Sequence, residues 1–118
     1  MLTERDLSYI AGFFDGEGSV FLSGAACRIA ISQKDPEVLL WIQSTFGGRM
    51  YHTVHNNPRL ILTKNEEVVR FAEVIGPLTK RSRERLRVAA KINSTRGAER
   101  KAWREKFPPN HTPYKEAM

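Results

Sequence analysis

Apolar residues recur along the chain with two periods, one typical of helices and the other of strands. Leu7, Ile10 and Phe14 follow the 3.6-residue period of an amphipathic helix. The segment begins at a threonine suited to an N-cap and is followed by two closely spaced glycines. We therefore predict a helix over 3–15, ended by Gly16.

The next segment has the two-residue alternation of strands. Ile29 and Ile31 alternate with small or polar residues over 28–33, which predicts a strand with one buried and one open face. A shorter strand is predicted over 19–22, with a turn over 23–26 between the two. These segments form the first predicted hairpin.

The same signals continue through the rest of the chain. They predict, in order, a helix over 36–46, strands over 49–55 and 59–63 joined by a turn at 56–58, and helices over 65–75 and 80–93. In the second hairpin four residues take the inward parity: Met50, Val54, Leu60 and Leu62. The outward parity is mostly polar, with Arg49, Tyr51, Thr53, Arg59 and Ile61.

This order of elements predicts an α+β fold with an αββαββα core. We expect an antiparallel, saddle-shaped sheet with the helices on one face, and a polar, partly basic surface on the other. A β-surface of this kind can enter a DNA groove. We expect one domain over residues 1–96 and a basic, proline-containing C-terminal tail over 97–118.

Composition and charge favour an anionic partner. The 118 residues carry 19 Lys and Arg against 13 Asp and Glu, a formal net charge of +6. Residues 80–106 alone contain eleven basic and three acidic side chains. The single cysteine excludes an internal disulfide and a multi-cysteine zinc site. No apolar run reaches the ~18 residues of a membrane span. We expect an intracellular protein, in the cytoplasm, nucleoid or an organelle, with no membrane partner and no secretion.

The most informative segment runs from Ile10 to Gly18. Gly12 and Gly16 lie four residues apart on one helix face, where small residues let a second helix approach closely. Asp15 and Glu17 follow at the C-terminal end of the helix, where the helix dipole disfavours negative charge. A bound divalent cation would relieve that unfavourable placement.

This segment resembles the signature motif of the LAGLIDADG homing endonucleases, and the predicted order of elements is similar to that of the same family over residues 3–93. In that family two motif helices pack on each other at a twofold axis. Because this chain holds one copy of the motif, the resemblance implies a homodimer. The residues expected at its interface are Ala11, Gly12, Asp15 and Gly16.

The resemblance also implies a chemistry, the metal-assisted hydrolysis of DNA phosphodiesters with a double-strand break in a long, roughly palindromic site. Glu17 and the Gly16 carbonyl would bind Mg²⁺, with Mn²⁺ as a substitute. Gln33 is the expected polar residue that orders water. The expected basic catalytic residue lies within 80–83; we assign Lys80, whereas an ungapped reading would place Ser82 there.

Contacts to double-stranded DNA are expected from both hairpins and from the basic segment. The candidates are Arg28, Arg49, Tyr51, Thr53, Arg59, Arg81 and Arg83. The first hairpin is much shorter than the DNA-reading ribbon usual in the family, so fewer side chains would reach base edges. We therefore expect the second hairpin to carry more of the sequence recognition.

Two other interpretations remain open. The first is a nucleic-acid binder on the same fold that does not cleave, either an intron maturase with intron RNA as a partner or a transcriptional regulator. The second is a general basic DNA- or RNA-binding module whose motif is fortuitous. That module would be a monomer, whereas the close-packing glycines predict a dimer.

Overall fold

The computed structural model describes residues 2–108, apart from the side chain of Thr53. In chain order its elements are α1 (Glu4–Glu17), β1 (Gly18–Ser23), β2 (Ala26–Ser32), α2 (Pro36–Phe46), β3 (Arg49–Thr53), β4 (Asn56–Leu62), α3 (Asn65–Ile75), a 3₁₀ turn (Gly76–Leu78), α4 (Arg83–Ser94) and α5 (Gly97–Glu105). Within these described residues, no helix combines the length and apolar character needed to cross a membrane.

The four strands form one antiparallel sheet in the order β1-β2-β4-β3. Ile31 of β2 pairs with Gly18 of β1 and with Leu60 of β4. Alternate residues of β2 and β4, among them Ile29 and Leu62, are fully buried beneath the helices. Their neighbours point to the other face, which no helix within residues 2–108 covers. The predicted α+β architecture, with helices on one face of an antiparallel sheet, is confirmed.

Both ends of α1 and the start of α2 follow from local capping. The Thr3 hydroxyl accepts from the Asp6 backbone N–H, and the Asp6 carboxylate accepts from the Thr3 backbone N–H, which completes a capping box. At the start of α2 the Asp35 carboxylate accepts from the Glu37 backbone N–H, with Pro36 at the first helical position. The helix boundaries predicted there are confirmed to within two residues.

The turn of the second hairpin was predicted in the wrong place. It lies at 54–55 rather than 56–58, and β4 already begins at Asn56. Val54, predicted to point inward, is 95% exposed in this turn. A β-bulge explains the error, because Tyr51 pairs with Arg59 while Thr53 pairs with Asn56. The extra β4 residue falls beside Pro58, where the missing N–H of proline is tolerated.

The C-terminal third also differs from the prediction. Helix α4 begins at Arg83 rather than at residue 80, because residues 79–82 form a loop held against α1. Residues 97–105 of the predicted tail form α5, and the half-buried side chains of Trp103 and Phe107 pack against the core. The remaining tail residues, 109–118, lie outside the described part of the chain.

One buried side chain fixes α4 to the sheet. The Asn93 amide accepts from the Cys27 backbone N–H at 2.8 Å and donates to the Cys27 carbonyl at 2.9 Å. Asn93 is 4% exposed. At this point of β2 its side chain makes the two backbone hydrogen bonds that a neighbouring strand would otherwise make. These two hydrogen bonds place α4, and the loop before it, at the same side of the sheet as α1.

Candidate functional site

Asp15 lies in the last turn of α1 and connects it to the loop before α4. Its carboxylate accepts from the backbone N–H of Lys80 at 2.6 Å and from that of Ser82 at 3.0 Å. The Arg81 guanidinium donates to the Asp15 carbonyl at 3.3 Å. Asp15 therefore contacts its own chain, and the expectation that it faces a partner helix is not supported by these contacts.

Glu17 is the last residue of α1 and is exposed. Its carboxylate has no hydrogen-bond or ion-pair partner within residues 2–108. Gly16, just before it, is also exposed, and carbonyls of a last helical turn lack an intrahelical donor. The exposed Glu17 carboxylate and the backbone carbonyl of the exposed Gly16 therefore belong to consecutive residues at this helix end.

Gln33 lies at the same end of the β1–β2 strand pair as Glu17. Because Gly18 pairs with Ile31, the start of β1 and the residues after β2 are neighbours. The Gln33 backbone N–H donates to the Pro58 carbonyl at 3.1 Å, and its side-chain oxygen accepts from the Lys34 backbone N–H at 2.7 Å. Gln33 is half-buried and lies two residues beyond Ile31, the partner of the Gly18 that follows α1.

The basic residues of the loop divide into two groups. Lys80 is exposed and lies beside the end of α1, because its backbone is bonded to Asp15. Arg81 lies there too, through its bond to the Asp15 carbonyl. Arg83, in contrast, donates from Nε to the Thr79 carbonyl at 3.1 Å and lines a groove between α3 and α4. The structure thus brings Lys80 and Arg81, but not Arg83, to the Glu17 end of α1.

The donor set at this end of α1 fits only part of a metal site. Mg²⁺ prefers carboxylate, carbonyl and water oxygens in octahedral geometry, and Glu17 with Gly16 supplies two such oxygens. The described residues contain no group of three or more His, Cys, Asp or Glu side chains able to hold a metal ion. A cation bound here would need further oxygens from phosphate, water or a second chain.

The open face of the sheet carries the predicted cationic residues. Arg28, Arg49 and Arg59 are exposed, and Tyr51 is 46% exposed. The register pairs Arg59 with both Tyr51 and Ser32. Thr53 lies at the end of β3, but its side chain is outside the described part of the structure.

Apolar residues also reach this open face, a feature that sequence parity indicated only in part. Phe21 is half-buried and pairs with Arg28, and Ile61 is half-buried between Ala30 and Arg49. The face is therefore a cationic surface with apolar positions both on a central strand and on an edge strand. Such a surface can contact both phosphates and the apolar edges of bases.

The glycines of α1 form a bare helix surface. Among residues 2–108, a Cβ atom added at Gly12 or Gly16 would meet no atom within 4 Å apart from its chain neighbours and the backbone of its own helix. Ala11, in contrast, is 1% exposed and belongs to the hydrophobic core, so it has almost no surface left for a partner. The interface role of Ala11 stays a prediction, because no partner chain is present and α1 turns this residue toward its own core.

Exposed apolar side chains lie on α1, on α2 and on the 3₁₀ turn. Tyr9 is 53% exposed and stacks on Phe13 at a ring-centroid distance of 6.3 Å, and it also contacts Trp41 of α2 at 5.9 Å. Leu40 on α2 is 51% exposed, and Leu78 after α3 is 45% exposed. Large apolar side chains at such exposure are typical of interaction surfaces.

Cys27 offers no alternative nucleophile. Its side chain is fully buried, and burial raises the pKa of the thiol to about 11, although the nearby Arg85 charge acts in the opposite direction. A neutral, inaccessible thiol does not react as a nucleophile. Cysteine chemistry is thereby excluded for this site.

Arg85 connects several elements near the site, a role that the sequence did not indicate. Its guanidinium donates to the Val20 carbonyl in β1 and to the Pro108 carbonyl, and it lies over the Phe107 ring at 4.4 Å. It therefore connects α4, the strand that follows Glu17 and the segment after α5. The sequence signal was only a basic residue within a basic run, which does not distinguish a half-buried arginine from an exposed one.

Comparisons with known proteins agree with this geometry. The model of the LAGLIDADG-like domain matches residues 4–76. A comparison with curated proteins finds no match. Among solved structures, the homing endonuclease I-CvuI in complex with its target has a TM-score of 0.68 at 15% identity, covering 76% of this chain and 66% of its own.

Two further structures give the same result. The archaeal intron-encoded homing endonuclease I-Vdi141I, complexed with DNA, has a TM-score of 0.67 at 18% identity and covers 94% of this chain and 89% of its own. The homing endonuclease I-TnaI has a TM-score of 0.62 at 22% identity, with coverages of 75% and 71%. The chain therefore belongs to the family of LAGLIDADG-like domains and has the fold of the LAGLIDADG homing endonucleases.

Proposed function

We propose that the chain is a homodimeric, site-specific DNA endonuclease that uses Mg²⁺ to hydrolyse one phosphodiester in each strand. One observation carries the proposal. The motif helix ends in an exposed carboxylate, Glu17, that has no partner within residues 2–108 and that lies beside Lys80 and Arg81 at one edge of a cationic sheet face. A cluster of this kind fits a phosphate and a divalent cation together.

In this proposal the residues at the end of α1 divide the chemical roles. Glu17 and the Gly16 carbonyl would hold the cation, which would supply activation of water and neutralisation of charge at the phosphate. The Lys80 ammonium offsets the negative charge of the reacting phosphate. Gln33 orients a water molecule through its side-chain amide, from a position fixed by its bond to Pro58. Mn²⁺ would bind the same oxygen donors.

The homodimer follows from the incomplete site and from the bare face of α1. One chain supplies one carboxylate, whereas a double-strand break needs a site at each strand. A second copy packed glycine to glycine would bring two Glu17 residues to the same duplex. The exposed side chains of Tyr9, Leu40 and Leu78 would then be covered around the glycine contact.

The DNA surface of the proposal is the open face of the sheet. Its arginines would contact phosphates and base edges, chiefly Arg28 on the first hairpin and Arg49 and Arg59 on the second. The solved relatives include I-CvuI with its target in the presence of Ca²⁺ and I-Vdi141I with DNA, which supports a duplex as partner. The turn of the first hairpin holds two residues, with Gly24 at φ 67°, so its reach along a groove is short.

Cleavage of a randomised DNA duplex library in the presence of Mg²⁺ tests the proposal. Sequencing of the new ends should reveal discrete double-strand breaks that share a recurrent, roughly palindromic sequence. Breaks spread evenly over all sequences would contradict site specificity. Binding of DNA or of intron RNA without any cutting would favour a regulator or maturase on the same fold.

A further inference from the structure

The cationic loop at the site has no regular secondary structure of its own. Residues 79–82 follow the 3₁₀ turn and precede α4, and they include Lys80 and Arg81. The loop is fixed at its two ends by different contacts. Thr79 is fully buried and its hydroxyl donates to the Gly76 carbonyl at 2.6 Å. Beyond Thr79, the loop is held by Asp15.

The contacts of Asp15 are those of an anchor. Two backbone N–H groups of the loop, one on each side of Arg81, donate to its two carboxylate oxygens, and Arg81 also donates to the Asp15 carbonyl. A carboxylate near the N-terminus of α4 is in the favourable part of that helix's dipole. This placement compensates for its unfavourable position at the C-terminal end of α1.

The electrostatics of Asp15 agree with this geometry. Partial burial raises the pKa of the Asp15 carboxyl, but the hydrogen bonds from Lys80, Ser82 and Arg81 outweigh that effect, so the pKa lies below its usual range. Glu17 lies only two residues further along the same helix end.

We propose that Asp15 is a positioning residue, which anchors the 79–82 loop to the end of α1 and thereby holds Lys80 and Arg81 beside Glu17. This inference rests on the proposed function, because it assigns the loop cations to the phosphate that Glu17 serves. The anchor fixes the distance between the metal-binding end of α1 and the loop cations. Its contribution is to the rate of cleavage rather than to the affinity for DNA.

The distinction between rate and affinity follows from where the contacts lie. Most of the expected DNA contacts are on β2, β3 and β4, and the register of these strands does not involve Asp15. Loss of the anchor would let Lys80 and Arg81 move away from the reacting phosphate. Misplacement of a catalytic group by about 1 Å costs on the order of 10²-fold in rate.

The test is the variant Asp15→Asn, compared with Asp6→Asn as a matched control. Asp6 also accepts a backbone N–H, but in the capping box at the opposite end of α1. Single-turnover cleavage is measured on a duplex recovered from the library, and the Kd for that duplex is measured without Mg²⁺. Hydrogen exchange of the Lys80 and Ser82 amides is measured by NMR without DNA.

We expect Asp15→Asn to slow single-turnover cleavage by about 10- to 100-fold, with a Kd within about twofold of the wild type. The amides of Lys80 and Ser82 should exchange faster, while Asp6→Asn should leave both their exchange and the cleavage rate unchanged. Wild-type cleavage by Asp15→Asn, or a loss of DNA affinity equal to the loss of rate, would overturn the inference.

Failure of the proposed function is distinguishable from failure of this inference. If the wild type cuts no duplex, the endonuclease proposal fails, and the positioning role is then decided by the amide measurement. Faster exchange at Lys80 and Ser82 in Asp15→Asn alone would support the anchor. Unchanged exchange in that variant would contradict it.

Discussion

Single polar residues join parts of this molecule that are far apart in sequence. Asn93 bonds both backbone groups of Cys27, 66 residues away, and Asp15 bonds the loop 65 and 67 residues away. The Glu67 carboxylate accepts from the Gly48 backbone N–H at 3.0 Å and so connects α3 to the start of β3. In each case a side chain is the hydrogen-bond partner of backbone groups that lie far away in the sequence.

Asn93→Ala should destabilise the fold strongly. The substitution removes both hydrogen bonds and leaves the N–H and C=O of Cys27 buried without partners, at a cost of about 2–4 kcal/mol. Urea unfolding followed by circular dichroism measures this change. The neighbouring exposed variant Ser94→Ala is the control and should change the free energy of unfolding by less than about 0.5 kcal/mol. Equal, small effects of both variants would show that the Asn93 bonds are dispensable.

The helices and strands themselves were largely predictable from the sequence. Each of these elements has apolar residues spaced so that they fall on one side of the helix or strand. In α1, α2, α3, β2 and β4 that side is buried in the core, as predicted. The errors occur where the determining contact is distant. Local residue preferences predict a turn at 56–58, but with the bulge beside Pro58 the turn lies at 54–55. Residues 80–82 are not part of α4, because Asp15 bonds their backbone.

Gly12→Leu tests whether α1 is an interface element. Because a Cβ atom at Gly12 would meet no atom of another element of residues 2–108 within 4 Å, the isolated fold should accept leucine and even gain about 1 kcal/mol of helix stability. A dimer packed through this face should dissociate. Sedimentation velocity should show a mass near the 13.5 kDa of one chain. Ala98→Leu, on the exposed start of α5, is the control and should leave the dimer intact. A dimeric Gly12→Leu protein would place the interface elsewhere.

The molecule as a whole has two different faces. The helical layer buries the core, while the sheet presents arginines on a face that none of the described helices covers. The motif and the charge distribution could be recognised from the sequence, as could the family. The roles of Glu17, Gln33 and Lys80 stay predictions. The orientation of Arg83 and the half-buried state of Arg85 could not be foreseen, since cations in one basic run look alike until the fold places them.

DNA binding should weaken steeply with salt. If about six phosphates are contacted, the affinity falls by about 10³-fold between about 50 and 200 mM salt. Arg59→Gln, on the open face, should reduce the salt slope by about one unit. Arg70→Gln, on the helix layer, is the control and should leave the slope unchanged. Fluorescence anisotropy of a labelled duplex gives both slopes. A salt slope near zero would mean that phosphates are not bound by this surface.

The most direct test of the central claim is the cleavage rate of Glu17→Gln with Mg²⁺ on the duplex recovered from the library. The substitution keeps the shape of the side chain and removes the charge that would hold the cation. Glu99→Gln, an equally exposed position on α5, is the matched control. We predict that Glu17→Gln binds the duplex at least as tightly as the wild type and does not cut it, while Glu99→Gln cuts at the wild-type rate. Cleavage by Glu17→Gln at the wild-type rate would contradict the account.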